Sequence, residues 1–423
     1  MKYFIFWVST FFILFSSVAQ AQTTKEEFLS DPAHASGVYQ NYNFVKAIAT
    51  PAPEGYKPFY ISHYGRHGSR WITSEESYTY PRNILNDAHN AHKLTPLGER
   101  IYQKVDMATQ DAYGRYGGLT SLGVKEHRGI AQRMFFSFPE IFSTENGREC
   151  KIFSRATVVP RCILSMAANN ERLKELNPQI EITRDAADRF LYLNNLYRNA
   201  KKDSTYAIRD EFIKNNFDID KFISALFNDT TYANEYIEDP ISFIRSIHLI
   251  AIDLPNVKHL NISMLDLFSD DELFTLWQAF NMVMYYNSGP SGVNGKVAMD
   301  SSKLLLSDII NCADSAIANG NIQADLRFGH DGYIIPLLAL MDIEGMNVQE
   351  NSPENIYKVW SDFKVSPMAA NLQLVFYRNY ESGDVIVKVL HCEKEVKIPV
   401  VTNIAPYYRW KDVKAYYKQK IMK

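Results

Sequence analysis

The sequence predicts an α/β protein with a central, mostly parallel sheet flanked by helices and an inserted, mostly helical cap domain. Short predicted strands at 59–62, 150–154 and 325–329 are each followed by a helical pattern. This alternation is expected when helices cross over a parallel sheet. From about 185 to 289, helical patterns follow one another with few strand signals, which predicts the insertion. Two alternating runs after residue 370 predict a closing antiparallel pair.

The first part of the predicted core spans residues 22–184. It opens with a polar, proline-containing segment that leads into the strand at 59–62. The elements that follow are helices at 80–92, from 95 through 105 and at 124–136, a strand at 150–154, and a helix that begins at Pro160. Proline is favoured in the first turn of a helix, because its missing N–H would be unpaired there.

The helical cap is assigned to residues 185–300, and the second part of the core to 301–423. The cap is predicted to contain helices at 210–216, 219–227, 240–252 and 271–286. The second core part is predicted to contain a helix at 301–319, a strand at 325–329, a helix at 333–341, and strands at 372–377 and 385–390.

The N-terminus has the pattern of a secretory signal peptide covering residues 1–21. Lys2 supplies a positive charge, residues 4–18 are apolar, and 19–21 (Ala-Gln-Ala) form a small-x-small cleavage site before Gln22. The apolar run is shorter than the roughly 20 residues that span a bilayer. We therefore expect an exported protein, periplasmic or secreted, with no stable membrane insertion after cleavage.

Charge and cysteine content restrict the classes of partner. The formal net charge of −3 argues against nucleic acid, so an anionic ligand would need a local group of arginines. The four cysteines allow three disulfide pairings in an oxidising compartment, or they are free and buried. The cysteines are Cys150, Cys162, Cys312 and Cys392. Their spacing matches no zinc pattern, and we expect neither a metal nor a cofactor.

Two charged turns stand where predicted strands end. Arg66-His67-Gly68, with Arg70 nearby, follows the first strand, and a His-Asp pair follows the strand at 325–329. Ligands of open α/β sheets bind at the carboxyl ends of the strands. A neutral imidazole is a competent nucleophile, and guanidinium groups bind phosphate oxygens in bidentate fashion. Gly68 is expected to let an anion approach the backbone. Alone, an Arg-His-Gly tripeptide is more often an ordinary loop.

Three segments together resemble the histidine phosphatase superfamily, in the branch of histidine acid phosphatases, phytases and multiple inositol polyphosphate phosphatases. They are Arg66 to Arg70, the stretch Arg155-Ala156-Thr157-Val158-Val159-Pro160-Arg161 with Ser165 beyond it, and Phe328-Gly329-His330-Asp331. Further similarity lies at Leu119-Thr120 with Gly123, in the helix around Leu276-Trp277-Gln278, and in the strand at 371–377.

The resemblance implies a role for each matching residue. His67 would be the nucleophile that forms a phosphohistidine, and Asp331 would protonate the leaving oxygen. Residues implied to bind the phosphate are Arg66, Arg70, Arg161 and His330. Arg155 is a weaker phosphate-binding candidate, for which a packing or surface role is the alternative. His63, on the strand before the turn, is expected to be structural.

The implied activity is a secreted phosphomonoesterase for phytate-like inositol polyphosphates, with 2,3-bisphosphoglycerate as a further candidate substrate. A broad acid phosphatase for sugar phosphates or nucleotides is the alternative enzyme, and a non-catalytic anion-binding protein is an alternative of another class. The third segment reads His330-Asp331-Gly332, where the multiple phosphatases usually carry His-Ala-Glu, so the subfamily stays open. Basic cap residues would distinguish the substrates. The candidates are Lys201, Lys202, Lys214 and Arg245.

Overall fold

The computed structural model describes residues 23–47, 49–193, 202–294 and 296–422. The predicted signal peptide, 1–21, lies outside the described residues. The strands are β1 Tyr56–Arg66, β2 Lys151–Ala156, β3 Glu181–Ala186, β4 Ala324–Gly329, β5 Asn371–Asn379, β6 Val385–His391, β7 Lys394–Glu395 and β8 Tyr407–Arg409.

Seventeen α-helices are described. They are α1 Lys25–Leu29, α2 Glu76–Asn90, α3 Pro96–Ala112, α4 Ser121–Ser137, α5 Pro139–Phe142, α6 Pro160–Leu176, α7 Lys202–Asn216, α8 Ile219–Leu226, α9 Thr230–Tyr236, α10 Pro240–Asp253, α11 Asp270–Ser288, α12 Val297–Ser301, α13 Lys303–Asn319, α14 Asp331–Leu340, α15 Ile356–Val359, α16 Asp362–Val365 and α17 Trp410–Met422. A 3₁₀ segment, Pro32–Tyr39, precedes β1.

The strands form one mixed sheet in the order β3-β2-β4-β1-β5-β6-β7, with β8 also paired to β6. The first four strands of that order are parallel, and β5 to β8 extend the sheet in antiparallel fashion. The α/β class predicted from the sequence is confirmed. The carboxyl ends of β1, β2 and β4 meet at one edge of the sheet.

Each face of the sheet supports its own apolar cluster, because alternate side chains of a strand point to opposite faces. Tyr60 and Tyr64 of β1 join a large cluster that also includes side chains of α2, α3, α10, α11 and α13. Ile61, between them, joins a smaller cluster with side chains of α5 and α6. Helices therefore cover both faces of the sheet. The site lies at the edge formed by the carboxyl ends of β1, β2 and β4.

The cap is helical as predicted, and N-capping side chains mark the starts of several of its helices. Side chains of Asp218, Asp229 and Asp239 accept hydrogen bonds from backbone N–H groups in the first turns of α8, α9 and α10. Ser269 and Glu272 form a capping box at the start of α11. The cap shares its buried cluster with α2 and α3. The boundaries at 184/185 and 300/301 remain predictions.

Several boundaries differ from the sequence-based ones. β1 extends from Tyr56 to Arg66, well beyond the expected 59–62, because it is paired on both sides. The edge strand β3 was not predicted, and it pairs with β2 through mostly exposed or half-buried residues that give little apolar signal. The short helix α9 was also not predicted.

Two further properties concern compartment and redox state. All four cysteines are free thiols, so the structure contains none of the three possible pairings. Within the described ranges, no helix combines the length and apolar character required to cross a membrane.

Candidate functional site

The parallel pairing of the strands brings the three charged segments together. Arg66, at the end of β1, is registered with Gly329 at the end of β4, and the N–H of His67 donates to the Gly329 carbonyl at 2.9 Å. On the other side of β4, the N–H of Thr157 donates to the Phe328 carbonyl at 3.2 Å. The turns after β1, β2 and β4 are thus neighbours at one edge.

His67 is held in the tautomer that a nucleophile needs. Its Nδ1 lies 2.9 Å from the carbonyl oxygen of Gly68, which can only accept, so Nδ1 carries the proton. Nε2 then keeps its lone pair. Burial lowers the pKa of His67 well below the usual range, and the neighbouring guanidinium groups, Arg66 first, lower it further. The imidazole is therefore neutral at neutral and mildly acidic pH.

The loop that carries His67 is fixed from α4 and α6. The Glu126 carboxylate accepts from the Ser69 N–H at 2.7 Å and from the Ser69 hydroxyl at 2.8 Å. The Ser165 hydroxyl accepts from the Gly68 N–H at 3.1 Å. These bonds hold the nucleophile from two separate helices, which limits its freedom before any ligand binds.

Gly68 allows the His67 loop to pack closely against α4. This contact accounts for the glycine without the close approach of an anion to the backbone that the sequence analysis expected. A Cβ at this position would lie 2.6 Å from both the Cα and the carbonyl oxygen of Gly123, in the first turn of α4. Backbone atoms cannot move aside as a flexible side chain can. Glycine is therefore required by the close approach of the helix and the loop.

Arg66 and Arg70 occupy fixed, buried positions beside His67. Nη1 of Arg66 donates to the carbonyl oxygens of Val38 and Ser366, each at 2.6 Å. The guanidinium of Arg70 stacks on the ring of Tyr39 at 4.9 Å from its centroid, and Nη1 donates to the Trp71 carbonyl at 2.9 Å. Tyr39 and Val38 belong to the N-terminal segment, which sequence reasoning had treated only as a polar lead-in.

Arg161 reaches the site from the start of α6 and orients His330. Its Nη2 lies 3.4 Å from Nδ1 of His330, and Nε2 of the same ring lies 3.3 Å from the Thr157 hydroxyl. Since Arg161 can only donate, Nδ1 accepts and Nε2 carries the proton. Burial and, after it, the positive charge of Arg161 lower the pKa of His330 to about 4. The His67 and His330 rings meet edge to face at 5.6 Å.

The site has an excess of unpaired positive hydrogen-bond donors. In the part of the chain that the structure describes, the buried Nε–H groups of Arg66, Arg70 and Arg161 have no hydrogen-bond partner. Buried donors without partners are costly, most of all charged ones. The charges of these three guanidinium groups all act on His67, and a phosphate would neutralise that excess of positive charge, so the arrangement is suited to binding phosphate.

Asp331 begins α14 next to His330 and forms an ion pair with Arg66 at 2.8 Å between Oδ2 and Nη2. Oδ1 accepts from the Gly332 N–H at 2.7 Å. Burial raises the pKa of Asp331, but Arg66 and Arg70 outweigh it and hold the pKa at about 2. Asp331 is therefore a carboxylate when no substrate is bound.

Arg155 does not join this group. Its guanidinium is bound by Asp325 at 2.7 Å and by Asp308 at 3.2 Å, and Asp308 also binds Arg327 at 2.7 Å. The side chain thus belongs to a buried ion network on the α13 side of the sheet. Its alternative role, a packing arginine, matches this position. His63 is fully buried, as expected for a structural residue, and burial lowers its pKa to about 3.

Sequence reasoning missed several residues that shape the site. They are Val38, Tyr39, Glu126 and Ser366. Val38 and Ser366 act through backbone carbonyls, which leave no signal in side-chain identity. Glu126 stands within a helix that had been predicted, but nothing in the spacing marks a carboxylate as buried.

Comparisons with known proteins agree with this geometry at the level of fold. No family model matches the chain, and no curated protein matches it by sequence. Its structure resembles that of the Bifidobacterium longum multiple inositol polyphosphate phosphatase in complex with inositol hexasulfate. That likeness has a TM-score of 0.76 at 18% identity, covering 91% of this chain and 97% of the other.

A phytase from D. castellii is similar with a TM-score of 0.67 at 12% identity, covering 94% of this chain and 87% of the other. The Klebsiella sp. ASR1 phytase is similar with a TM-score of 0.52 at 11% identity, covering 86% of this chain and 96% of the other. Identities this low establish the fold alone. The comparisons therefore confirm the fold that the sequence resemblance implies.

Proposed function

We propose that this protein is a histidine-type phosphomonoesterase that acts through a phosphohistidine intermediate. The observation that carries the proposal is the arrangement around His67: a neutral ring with Nε2 free, beside three guanidinium groups that have unpaired donors. In this proposal Arg66, Arg70, Arg161 and His330 bind the phosphate, and Asp331 is the acid. The fold of known phytases and inositol polyphosphate phosphatases supports it.

The reaction has two steps. Nε2 of His67 attacks phosphorus, the bond to the ester oxygen breaks, and that oxygen leaves with a proton that the phosphate monoanion brings and Asp331 transfers. Water then attacks the phosphohistidine and gives a proton to Asp331, and inorganic phosphate leaves with that proton, which restores the free imidazole and the Asp331 carboxylate. The guanidinium groups neutralise charge on the equatorial oxygens, where it accumulates during phosphoryl transfer. No metal ion or cofactor takes part in the proposed steps.

The proposed substrates are inositol polyphosphates of the phytate type, and 2,3-bisphosphoglycerate is a further candidate. Support comes from the solved complex of the B. longum enzyme with inositol hexasulfate. Two of the basic cap candidates can be placed: Arg245 is paired with Asp210 at 3.2 Å, and Lys214 is exposed. Lys201 and the side chain of Lys202 lie outside the described part of the cap. Export to the periplasm or the medium, after removal of residues 1–21, is part of the same proposal.

The test is phosphate release from phytate and from an aryl phosphate, with a chelator present, by the wild type and by His67→Ala. We expect chelator-resistant release by the wild type, none by the variant, and an acid-labile phosphoenzyme trapped only in the wild type. His89→Ala, an exposed histidine of α2, is the matched control. Phosphate binding without turnover by the wild type would instead identify an anion-binding protein.

A further inference from the structure

A short segment before β1 supports two arginines of the proposed site. In this entry segment, residues 38–42, the carbonyl group of the first residue accepts from Arg66 Nη1 at 2.6 Å. The ring of the second residue, Tyr39, stacks on Arg70 at 4.9 Å from the ring centroid. The position of the entry segment therefore affects how both guanidinium groups are presented to a phosphate. Its last residue is Tyr42.

The backbone of Tyr42 joins the entry segment to the nucleophile loop through a buried carboxylate. Its N–H donates to Oε1 of Glu126 at 2.8 Å. The Ser69 hydroxyl donates to the same oxygen at 2.8 Å, and the Ser69 N–H donates to Oε2 at 2.7 Å. Glu126 is only 7% exposed, so water cannot readily replace a lost donor. A displacement of Tyr42 would therefore shift this carboxylate and the loop that carries His67.

The side chain of Tyr42 is anchored at its other end to the turn between β6 and β7. Its hydroxyl donates to Oε1 of Glu393 at 2.8 Å and accepts from Asn371 Nδ2 at 3.2 Å. Burial raises the pKa of Tyr42 well above its usual range, so the hydroxyl keeps the proton that it donates. Arg133 holds Glu393 in turn, with Nε and Nη2 each donating at 2.7 Å. Tyr42 thus connects a fixed ion pair to the nucleophile loop.

We propose that Tyr42 is a positioning residue of the enzyme, which fixes the entry segment against the His67 loop through its bonds to Glu126 and Glu393. The inference rests on the proposed function, because the geometry that it concerns is that of the proposed nucleophile. It extends the machinery to Glu393, which has no role of its own in the proposed phosphoryl transfer.

Tyr42→Phe tests the inference, because it removes the hydroxyl and leaves the ring and the backbone N–H in place. Arg66 keeps its bond to the Ser366 carbonyl, so phosphate binding should be largely retained. Misplacing a nucleophile by about 1 Å costs on the order of 100-fold, so a partly loosened loop should lower kcat about tenfold and change KM less than about twofold. An unchanged kcat in Tyr42→Phe, with an active wild type, overturns the inference.

Tyr56→Phe is the matched control. The Tyr56 hydroxyl also donates to a carboxylate that an arginine holds, with Asp384 at 2.7 Å and Arg409 in turn at 2.6 Å from Asp384. Tyr56 begins β1, whereas the proposed site lies where β1 ends. The control loses the same kind of bond, and its kcat should equal that of the wild type. An equal loss of kcat in both variants would mean that Tyr42 has only a general structural role.

A double-mutant cycle tests whether Tyr42 acts through Glu393. Glu393→Ala removes the acceptor of the hydroxyl and should lower kcat about as much as Tyr42→Phe. The double variant should lose no more than either single variant, because both changes break the same bond. Losses that multiply would contradict the connection. Glu393→Ala also takes the place of Tyr42→Phe should the latter fail to fold.

Amide hydrogen exchange separates this inference from the proposed function. Exchange of the Ser69 N–H, followed by mass spectrometry of a peptide that contains it, should be faster in Tyr42→Phe and unchanged in Tyr56→Phe. If the wild type turns over no ester but exchange still accelerates in Tyr42→Phe, the proposed function fails and the positioning role stands. Unchanged exchange in Tyr42→Phe overturns the positioning role, and turnover by the wild type would then leave the proposed function intact.

Discussion

Arg66 and Asp331 form an ion pair of 2.8 Å, in which the guanidinium is fully buried and the carboxylate side chain is 26% exposed. One arginine therefore serves both as a proposed phosphate ligand and as the group that keeps the proposed acid ionised. The pKa of Asp331, about 2, means that the free enzyme does not hold the proton that the leaving oxygen needs. That proton must arrive with the substrate.

This protonation state predicts the pH profile of kcat/KM. At mildly acidic pH His67 is neutral, because its pKa lies well below the usual range, and Asp331 is ionised, because its pKa is about 2. The monoanion of the phosphomonoester, whose second pKa is about 6, is therefore the productive form. On binding, its proton is available to Asp331. We expect kcat/KM to be level between about pH 4.5 and 5.5 and to fall about tenfold per unit well above pH 6.

Substrates with different second pKa values distinguish this explanation from a titrating side chain. The inflection should follow the pKa of the substrate across a series of substituted aryl phosphates. Asp253 is the control, since burial raises its pKa to about 6 and it lies near Arg70. Asp253→Asn should leave the inflection in place. A rate that keeps rising through pH 8 would contradict the assignment.

Arg161 and Arg155 are predicted to respond to mutation in opposite ways. Arg161→Ala removes a charge-assisted hydrogen bond worth about 1.5–3 kcal/mol, so kcat/KM should fall about 10- to 100-fold with little change in stability. Arg155→Met leaves the buried carboxylate of Asp325 without its ion-pair partner, which should lower the free energy of unfolding by about 3–5 kcal/mol. The folded Arg155→Met enzyme should keep its kcat.

Urea unfolding and steady-state kinetics on both variants check this pair of predictions. A large loss of kcat in folded Arg155→Met would indicate that Arg155 binds the phosphate. A stable Arg161→Ala enzyme with unchanged kcat/KM would indicate that Arg161 does not bind it.

Gly68→Ala is predicted to lower kcat on the order of 100-fold although it adds only one methyl group. The new Cβ would lie 2.6 Å from backbone atoms of Gly123, so either the His67 loop or the start of α4 must move. Displacement of a nucleophile by about 1 Å costs on the order of 100-fold in rate. Gly292→Ala is the control, because a Cβ there meets nothing within 4 Å. A wild-type kcat in Gly68→Ala would show that the loop and α4 accommodate the new methyl group without displacing His67.

The sequence was sufficient to identify the parts of the site that depend on side-chain chemistry. Strand-end position placed Arg66, His67 and His330 at one edge, and parallel pairing of β1 with β4 joins them there. The resemblance ranked Arg161 above Arg155, but the residues themselves gave no physical ground for the difference, since both are arginines near one strand end. Their different surroundings come from the direction in which β2 and α6 present them.

Contacts made through the backbone were beyond sequence reasoning for a related reason. The carbonyl groups that fix Arg66 belong to Val38 and Ser366, which are about 330 positions apart in the chain. Any residue could supply them. Likewise, the edge strand β3 is held by pairing with β2, and its exposed residues carry no alternating apolar pattern.

Acid is predicted to destabilise the protein, although the reaction favours mildly acidic pH. Burial lowers the pKa of His63 and His248 to about 3, and of His127 and His391 to about 4. In the unfolded chain these groups titrate near 6.5 and bind protons that the folded protein excludes. Stability is therefore present above pH 6.5 and lost as pH falls towards 4.

Each such histidine contributes a slope of up to about 1.4 kcal/mol per pH unit. Asp253 and Asp362 oppose this, because burial raises the pKa of each to about 6 and the folded protein binds their protons first, and burial also raises the pKa of Glu126. With His67 and His330, whose pKa values burial also lowers, six histidines outnumber the three carboxyl groups, so the net direction is a loss. We expect Tm to fall steadily between pH 7 and 4.5, as measured by thermal unfolding followed by circular dichroism.

His248→Leu isolates one of these contributions. Among the described residues, neither ring nitrogen of His248 has a hydrogen-bond partner, and its ring lies against Phe268 and Phe280. Leucine keeps that apolar contact and cannot be protonated, so the variant should match the wild type at pH 7.5 and exceed its Tm at pH 5. Parallel Tm curves for the two proteins, or a wild-type Tm that rises on acidification, would show that the buried histidines do not control acid stability.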